Sequence, residues 1–229
     1  MMDHVRDLAS VRDATERLLT AAAKLDNAAV TEPSRLPGWS RGHVLAHLAR
    51  NADALVNVLE GRPMYASATT RDADIERDAP RHLDAQLADV RESAARFGET
   101  GAAPADWSRT VELRNGVTDS AARVPFRRWV EVDLHHVDLG IGYELEDLPE
   151  EFVIREIGFL AERFGGHKDV PPTVLDAGDG RMWTTGGGAG GGSVTVQGPA
   201  ADLLGWLCGR RDGSRLAVDG GPLPALPPL

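Results

Sequence analysis

The sequence predicts an α+β protein in which an N-terminal four-helix bundle is followed by a small α+β domain. Through residues 1–166, apolar residues recur at helical spacing with charged residues between them. Over residues 167–229 the pattern changes to short β-branched runs separated by turn residues. A chain of 229 residues is long enough for one large domain or two modest ones. We therefore expect a helical domain over 1–166 and an α+β domain over 167–229.

Four segments of the first region have the pattern of amphipathic helices. Each is bounded by residues that start or stop helices: Ser40 is a candidate N-cap, and glycines follow the apolar runs. Helices of this length with modest loops between them are typical of a bundle. The predicted helices are Val5 to Leu25, Ser40 to Gly61, Leu83 to Gly98, and Pro149 to Gly165.

The second region carries four predicted strands and one helix. The strands lie in PPTVLDAGD, RMWTT, SVTVQG and RLAVDGG, and the helix lies in PAADLLGWLCGRR, with a proline at its start. The glycine-rich run TTGGGAGGGS predicts a flexible loop. It lacks the Gly-Lys-Ser/Thr ending of a phosphate-binding loop.

Charge and composition narrow the class of protein. The net charge is −10, which argues against a nucleic-acid partner because phosphate binding needs a basic face. The apolar runs are short and interrupted, which argues against a membrane span, and the N-terminus lacks the pattern of a signal peptide. A single cysteine rules out an internal disulfide and a zinc site with several thiolates. We expect a cytoplasmic protein.

The stretch RRWVEVDLHHVDLG, residues 127–140, is the first candidate for a chemical site. Its alternation of apolar and polar residues fits a strand, whereas Trp129, Val132 and His136 would share one side of a helix. In either geometry Glu131 and His135 lie on the same side, because four residues span about one helical turn or two strand repeats. The pattern therefore leaves the secondary structure open but places a carboxylate beside an imidazole.

The stretch GHVLAHLARNAD supplies candidates for a third ligand. His43 and His47 lie four residues apart in a predicted helix, and His47 is on the face expected to turn inward. His47, Glu131 and His135 would form a two-histidine, one-carboxylate set with an open coordination position, as in catalytic metal centres. The competing interpretation is that these histidines are solvated or hydrogen-bonded surface residues without a metal.

Longer motifs resemble a known family. LPGWSRGHVLAHLARNADAL followed by EVDLHHVDLG resembles the mycothiol-dependent maleylpyruvate isomerases, which have a DinB-like metal-binding helical bundle. GRPMYASATTRDADIE resembles the segment after the second helix of these enzymes, and VQGPAADLLGWLCGRRDG resembles their small C-terminal domain. The resemblance covers nearly the whole chain and implies that residues 120–141 are helical.

The resemblance also implies a chemistry. It makes His47, Glu131 and His135 the ligands of a zinc ion, and it makes mycothiol, a low-molecular-weight thiol, the cofactor. The thiolate would add to the cis double bond of maleylpyruvate, the resulting single bond would rotate, and loss of the thiolate would give fumarylpyruvate. The ligand types alone would also suit iron, nickel or manganese.

Further residues are assigned by the same resemblance and by spacing. Arg210, in the Gly-Arg step of the C-terminal segment, is the predicted catalytic residue that anchors the dicarboxylate, and Tyr65 and Arg71 are predicted to bind substrate. Asp138 either orients His135 or serves as a cap or solvated group. Asp133 is expected to face solvent.

Two other functions stay open on the sequence. One is a mycothiol S-transferase that conjugates electrophiles, and the other is a non-catalytic metal-binding protein. The expected partners are a small-molecule thiol and a dicarboxylate substrate, with no nucleic acid and no membrane, in a monomer or small homo-oligomer.

Overall fold

Helices dominate the first of the two compact units into which the chain divides, Met1–Tyr143 and Glu144–Leu229. A computed structural model describes residues 3–187 and 193–228. Four of the helices in the first unit are long and two are short. They are α1 (His4–Ala22), α2 (Asn27–Thr31), α3 (Arg41–Leu59), α4 (Ala68–Asp78), α5 (Leu83–Ala102) and α6 (Val124–Asp138).

The bundle consists of α1, α3, α5 and α6. Helices α1 and α3 each pack against both α5 and α6, so every long helix has two neighbours. Leu18, Leu45, Leu48 and Phe97 are almost completely buried among them. The predicted four-helix bundle is therefore confirmed, but its fourth helix is α6 and not the predicted helix at residues 150–164.

The start of α3 was predicted correctly from its capping residue, whereas the end of α5 was not. Ser40 is the N-cap of α3, as predicted: its hydroxyl accepts the backbone N–H of His43. Helix α5 was predicted to end at Gly98 but continues to Ala102, since one glycine inside a helix costs only about 1 kcal/mol. At Gly101 a side chain would collide with Leu8 of α1, so the missing Cβ permits the close packing of these helices.

Helix α4 and a hairpin were not predicted from the sequence. Helix α4 has a polar composition, and Ile75 is its one large apolar residue that is buried. Strands β1 (Thr110–Glu112) and β2 (Thr118–Ser120) pair antiparallel. The turn between them contains Asn115 and Gly116, both with positive φ, a conformation that asparagine and glycine tolerate best.

The second unit contains the predicted strands and helices. Its elements are α7 (Glu150–Phe164), β3 (Thr173–Asp176), β4 (Met182–Thr185), β5 (Val194–Gln197), α8 (Ala200–Leu207) and β6 (Ala217–Asp219). The sheet order is β4-β3-β5-β6, with β3 parallel to β5 and the other pairs antiparallel. The predicted α+β class is confirmed, while residues 188–192 of the glycine-rich run lie outside the described residues.

The boundary between the units differs from the predicted one. It falls after Tyr143, whereas the sequence indicated residue 166. The reason is α7, whose apolar face packs on α8 and β4. The hydroxyl of Thr185 on β4 also donates to the backbone carbonyl of Ala161 at 2.7 Å. None of the helices in the described ranges combines the length and apolar character needed to cross a membrane.

Candidate metal centre

Three side chains from two helices meet inside the bundle. Nε2 of His47, on α3, lies 2.9 Å from Oε2 of Glu131 on α6. Nε2 of His135 lies 3.2 Å from the same carboxylate oxygen. One potential ligand atom from each of the three residues lies within 4.8 Å of the other two. The structure thus brings together the set that the sequence predicted, whereas their role as ligands stays a prediction.

Helical geometry explains how α6 contributes two of the three side chains. Residues 124–138 are helical, so the local strand pattern was misleading and the helix implied by the resemblance is confirmed. Glu131 and His135 are four residues apart and point from the same face, toward α3. The side chain of His47 is 7% exposed, that of His135 12% and that of Glu131 32%, so the centre is open to solvent on its Glu131 side.

Burial and mutual contacts set the charges of His47 and Glu131. Burial lowers the pKa of His47 to about 4, although the hydrogen bond with Glu131 opposes this shift. Burial alone would raise the pKa of Glu131, but hydrogen bonds and charge from His135 and His47 outweigh it and hold the pKa well below its usual range. The centre therefore presents an ionised carboxylate and a neutral imidazole at neutral pH.

Asp138 is in contact with the third group, His135. Its Oδ2 lies 2.8 Å from Nδ1 of His135, and the aspartate is completely buried. Burial would lower the pKa of His135, but the hydrogen bonds with Asp138 and Glu131 raise it overall. Of the alternatives for Asp138, the orienting contact is the one present. An aspartate at Nδ1 leaves Nε2 facing Glu131 and His47.

His43 serves the start of α3 and is not one of the three. The backbone N–H of Ser40 donates to Nδ1 of His43 at 3.1 Å, which completes a capping box. Nε2 of His43 lies 3.3 Å from Glu76 on α4. Of the two histidines in this helix, only His47 reaches the centre.

The two predicted substrate-binding residues of the first unit lie beside the centre. Nη2 of Arg71, on α4, lies 3.3 Å from Nδ1 of His47. Burial raises the pKa of the Tyr65 phenol, while Arg71 opposes the shift through its charge and a side-chain hydrogen bond. The Glu131 carboxylate also acts on this phenol. Tyr65 and Arg71 are thus neighbours of each other and of the proposed ligands.

Sequence reasoning missed a buried pair one helical turn from the centre. Nη1 of Arg128 donates to Oδ1 of Asn51 at 2.8 Å, and Arg128 is completely buried. Asn51 is four residues after His47, and Arg128 is three before Glu131, so both belong to the same α3–α6 interface. Burial lowers the pKa of Arg128 to about 10, and the negative charge of Glu131 opposes the shift. The sequence did contain a signal for this pair: Arg128 lies three residues before Glu131, the spacing at which two side chains share one face of a helix.

Asp133 contradicts its predicted exposure. It is completely buried, and its Oδ2 accepts the indole N–H of Trp129 at 2.6 Å. Its Oδ1 accepts Nη2 of Arg17, on α1, at 3.1 Å. Asp133 is buried because α6 packs against α1 as well as against α3.

Arg210 belongs to the second unit. It lies just after α8, and its Nη1 donates to the backbone carbonyl of Cys208 at 2.8 Å. The next residue, Arg211, forms ion pairs with Asp202 and Glu146. The catalytic role of Arg210 stays a prediction.

The donor set fits a zinc ion. Two imidazole nitrogens and one carboxylate oxygen are ligands that zinc commonly takes, and three protein ligands are typical of a catalytic site. Ligands about 2.1 Å from a tetrahedral ion lie roughly 3.4 Å apart. The 2.9 Å and 3.2 Å separations at Glu131 are close to that spacing.

Comparison with known proteins identifies the family. The mycothiol maleylpyruvate isomerase N-terminal domain matches residues 11–140, and the C-terminal domain of the same family matches residues 147–228. A crystal structure of the mycothiol-dependent maleylpyruvate isomerase is similar, with a TM-score of 0.88 and 26% identity, over 99% of this chain and 97% of that one. A histidine-to-alanine variant of the mycothiol-dependent maleylpyruvate isomerase matches with the same TM-score and coverages at 25% identity. No protein with a curated description matches the sequence. The chain belongs to the mycothiol-dependent maleylpyruvate isomerase family.

Proposed function

We propose that this protein is a zinc-dependent, mycothiol-dependent isomerase that converts maleylpyruvate to fumarylpyruvate. The observation that carries the proposal is the convergence of His47, Glu131 and His135 inside a bundle of this family. Membership of the family supports the reaction, and the donor set supports the metal. The identity of the metal and of the substrate are parts of the proposal.

Zinc held by the three side chains would supply a Lewis acid that lowers the pKa of a thiol, so that mycothiol offers a thiolate at neutral pH. An isomerase needs the thiol only catalytically, since the thiol that adds to the double bond leaves again after rotation. The pKa of free thiols is about 8.5, so most of the free thiol is protonated at pH 7.

The side chains around the centre have separate tasks. Glu131 supplies the one negative charge among the proposed ligands, and Asp138 orients His135. Arg71 and Tyr65 lie beside His47 and Glu131, where their N–H and O–H groups would stabilise negative charge on the substrate oxygens as the double bond is attacked. Arg210 is proposed as a further anchor for a substrate carboxylate, through a charge-assisted hydrogen bond.

The test is a product analysis of zinc-loaded protein with maleylpyruvate, with and without mycothiol. We expect fumarylpyruvate to form only when mycothiol is present, with the thiol recovered in full at the end. Stoichiometric loss of thiol with electrophilic substrates, and no isomerisation, would instead identify an S-transferase. Absence of both reactions would leave a metal-binding bundle without this activity and would refute the proposal.

A further inference from the structure

A cavity of about 530 Å³ lies in the first unit, between the segment after α3 and the β1–β2 hairpin. Its volume is within the roughly 300–1,000 Å³ typical of small-molecule sites. Tyr65 belongs to the lining of this cavity. Its phenol forms a hydrogen bond with Arg71, and Nη2 of Arg71 lies 3.3 Å from Nδ1 of His47 in the centre. Tyr65 therefore links the cavity to the candidate metal centre.

The lining of the cavity is basic in a protein that is acidic overall. Three arginines and one glutamate, Glu112, contribute to it, which leaves a formal charge of 3 − 1 = +2. The whole chain, by contrast, carries −10. A positive cavity in such a protein favours an anionic ligand over a neutral one.

The three arginines differ in what they already bind. Arg62 forms an ion pair with Glu60 and donates to the side chain of Asn57 at 2.7 Å. Arg109 donates to the backbone carbonyl of Leu59. The Arg114 guanidinium has no hydrogen-bond or ion-pair partner within residues 3–187 and 193–228. Its five donors are therefore available to a ligand.

The hairpin holds Arg114 in a defined place. Arg114 follows β1 and precedes Asn115 and Gly116, whose positive φ values form the tight turn to β2. The backbone N–H of Val117 donates to the carbonyl of Arg114 at 3.3 Å and closes this turn. Arg114 and Tyr65 both line the cavity, and the charge of Arg114 opposes the rise that burial causes in the pKa of the Tyr65 phenol.

We propose that Arg114 is the specificity-determining residue that binds the distant carboxylate of the substrate, in the cavity next to the metal centre. This inference rests on the proposed function. In maleylpyruvate one carboxylate is attached directly to the reacting double bond, and a diketone segment separates the other from it. With the double bond at the centre, the first carboxylate lies near Arg71 and the second extends past Tyr65 to Arg114.

The test compares the full-length, metal-loaded protein with Arg114→Gln. At saturating mycothiol, the KM for maleylpyruvate should rise roughly ten- to a hundredfold, as expected for loss of a charge-assisted hydrogen bond. Both kcat and the mycothiol concentration at half-maximal rate should change less than about twofold. Arg114→Lys should recover part of the loss, since lysine keeps the charge but not the planar fork.

Two controls make the result specific. Arg12→Gln removes another exposed arginine, on α1 and paired with its neighbour Asp13, and should leave all constants unchanged. The substrate analogue with a methyl group in place of the distant carboxylate should have the same KM for the original protein and for Arg114→Gln. An unchanged KM for maleylpyruvate in Arg114→Gln would overturn the proposal. An equal rise of KM for the methyl analogue in Arg114→Gln would also overturn it. So would a change only in the mycothiol concentration at half-maximal rate.

Calorimetric binding of the saturated analogue, which lacks the double bond and cannot isomerise, separates this inference from the proposed function. Binding that depends on Arg114, in a protein that shows no turnover, would support the dicarboxylate site and refute the isomerase. Turnover of maleylpyruvate, together with binding of the analogue that Arg114→Gln does not change, would support the isomerase and refute the role of Arg114. Absence of both turnover and binding would overturn both proposals.

Discussion

Two carboxylates of helix α6, Glu131 and Asp133, face different neighbours and differ in burial: the Glu131 side chain is 32% exposed, whereas Asp133 is completely buried. Glu131 meets the imidazoles of His47 and His135 in the interface with α3. Asp133 meets the indole of Trp129 and the guanidinium of Arg17, on α1. Both carboxylates are anionic acceptors, two residues apart in one helix.

The partners decide what each carboxylate is able to do. Indole and guanidinium groups only donate hydrogen bonds, and the Tyr143 phenol is a third hydrogen-bond partner of Asp133, so this cluster is suited to holding helices together rather than to binding a cation. A neutral imidazole has a lone pair as well as an N–H, so the cluster around Glu131 can bind a cation. Burial raises the pKa of Asp133, whereas hydrogen bonds and charge from the two histidines hold the pKa of Glu131 well below its usual range.

The largest expected effect comes from neutralising the first carboxylate. Glu131→Gln should reduce bound zinc and lower kcat/KM by more than about a hundredfold. Loss of a residue that only orients a metal ligand costs up to about a hundredfold, and loss of a ligand itself should cost more. The reason is that an amide oxygen is a neutral and weaker ligand than a carboxylate. Metal analysis and steady-state kinetics measure the two effects. Asp133→Asn is the matched control, with the same chemical change on the same helix and no expected loss of metal or turnover.

The second carboxylate should matter for stability instead. In Asp133→Asn an N–H₂ donor replaces one acceptor oxygen and faces a donor of Trp129 or Arg17, and a buried donor left without an acceptor costs about 1–3 kcal/mol. We expect the free energy of unfolding, measured by urea denaturation of the metal-free protein, to fall by about that amount. If Asp133→Asn instead lost metal while keeping its stability, the division of labour between the two carboxylates would be wrong.

A smaller effect is expected at Asp138, which acts on the centre through His135. Asp138→Asn should weaken zinc affinity about 10- to 100-fold, the usual effect of an outer partner of a ligating histidine. Competition with a zinc-binding dye measures this affinity. An unchanged affinity would mean that the 2.8 Å contact does not orient the ring.

The pH dependence of zinc affinity also tests the action of Asp138 on His135. The pKa of His135 is raised, so protons compete with the metal at a higher pH than for an ordinary histidine. Zinc affinity should therefore be constant above that pKa and fall about tenfold per pH unit below it. His47, with its pKa lowered to about 4, adds to the loss only in more acidic solution. In Asp138→Asn the midpoint should move to lower pH, and a midpoint that moved upward would contradict this account.

Much of the fold could be predicted because its signals are local. Ser40 at the start of α3 and the strands of the second unit follow from capping and from β-branched runs. Helix α4 was missed because its residues are mostly polar and it has little apolar periodicity of its own. Helix α7 was predicted as a helix but was placed in the bundle, whereas it belongs to the second unit. Its apolar face fits a bundle or a sheet equally well, and the local sequence does not indicate which element packs against it.

By itself, the sequence determined that Glu131 and His135 share one side of their segment and that His47 lies on the helix face expected to turn inward, since the spacing of residues fixes which side chains share a face. Only the tertiary structure decided that α6 joins α1 and α3, and therefore that Glu131 meets imidazoles while Asp133 meets donors. The same packing buries Arg128 against Asn51 and places Tyr65 between the centre and the cavity with Arg114. The physical reason is that periodicity fixes the faces of one element, whereas the groups opposite each face come from chain segments far away in sequence.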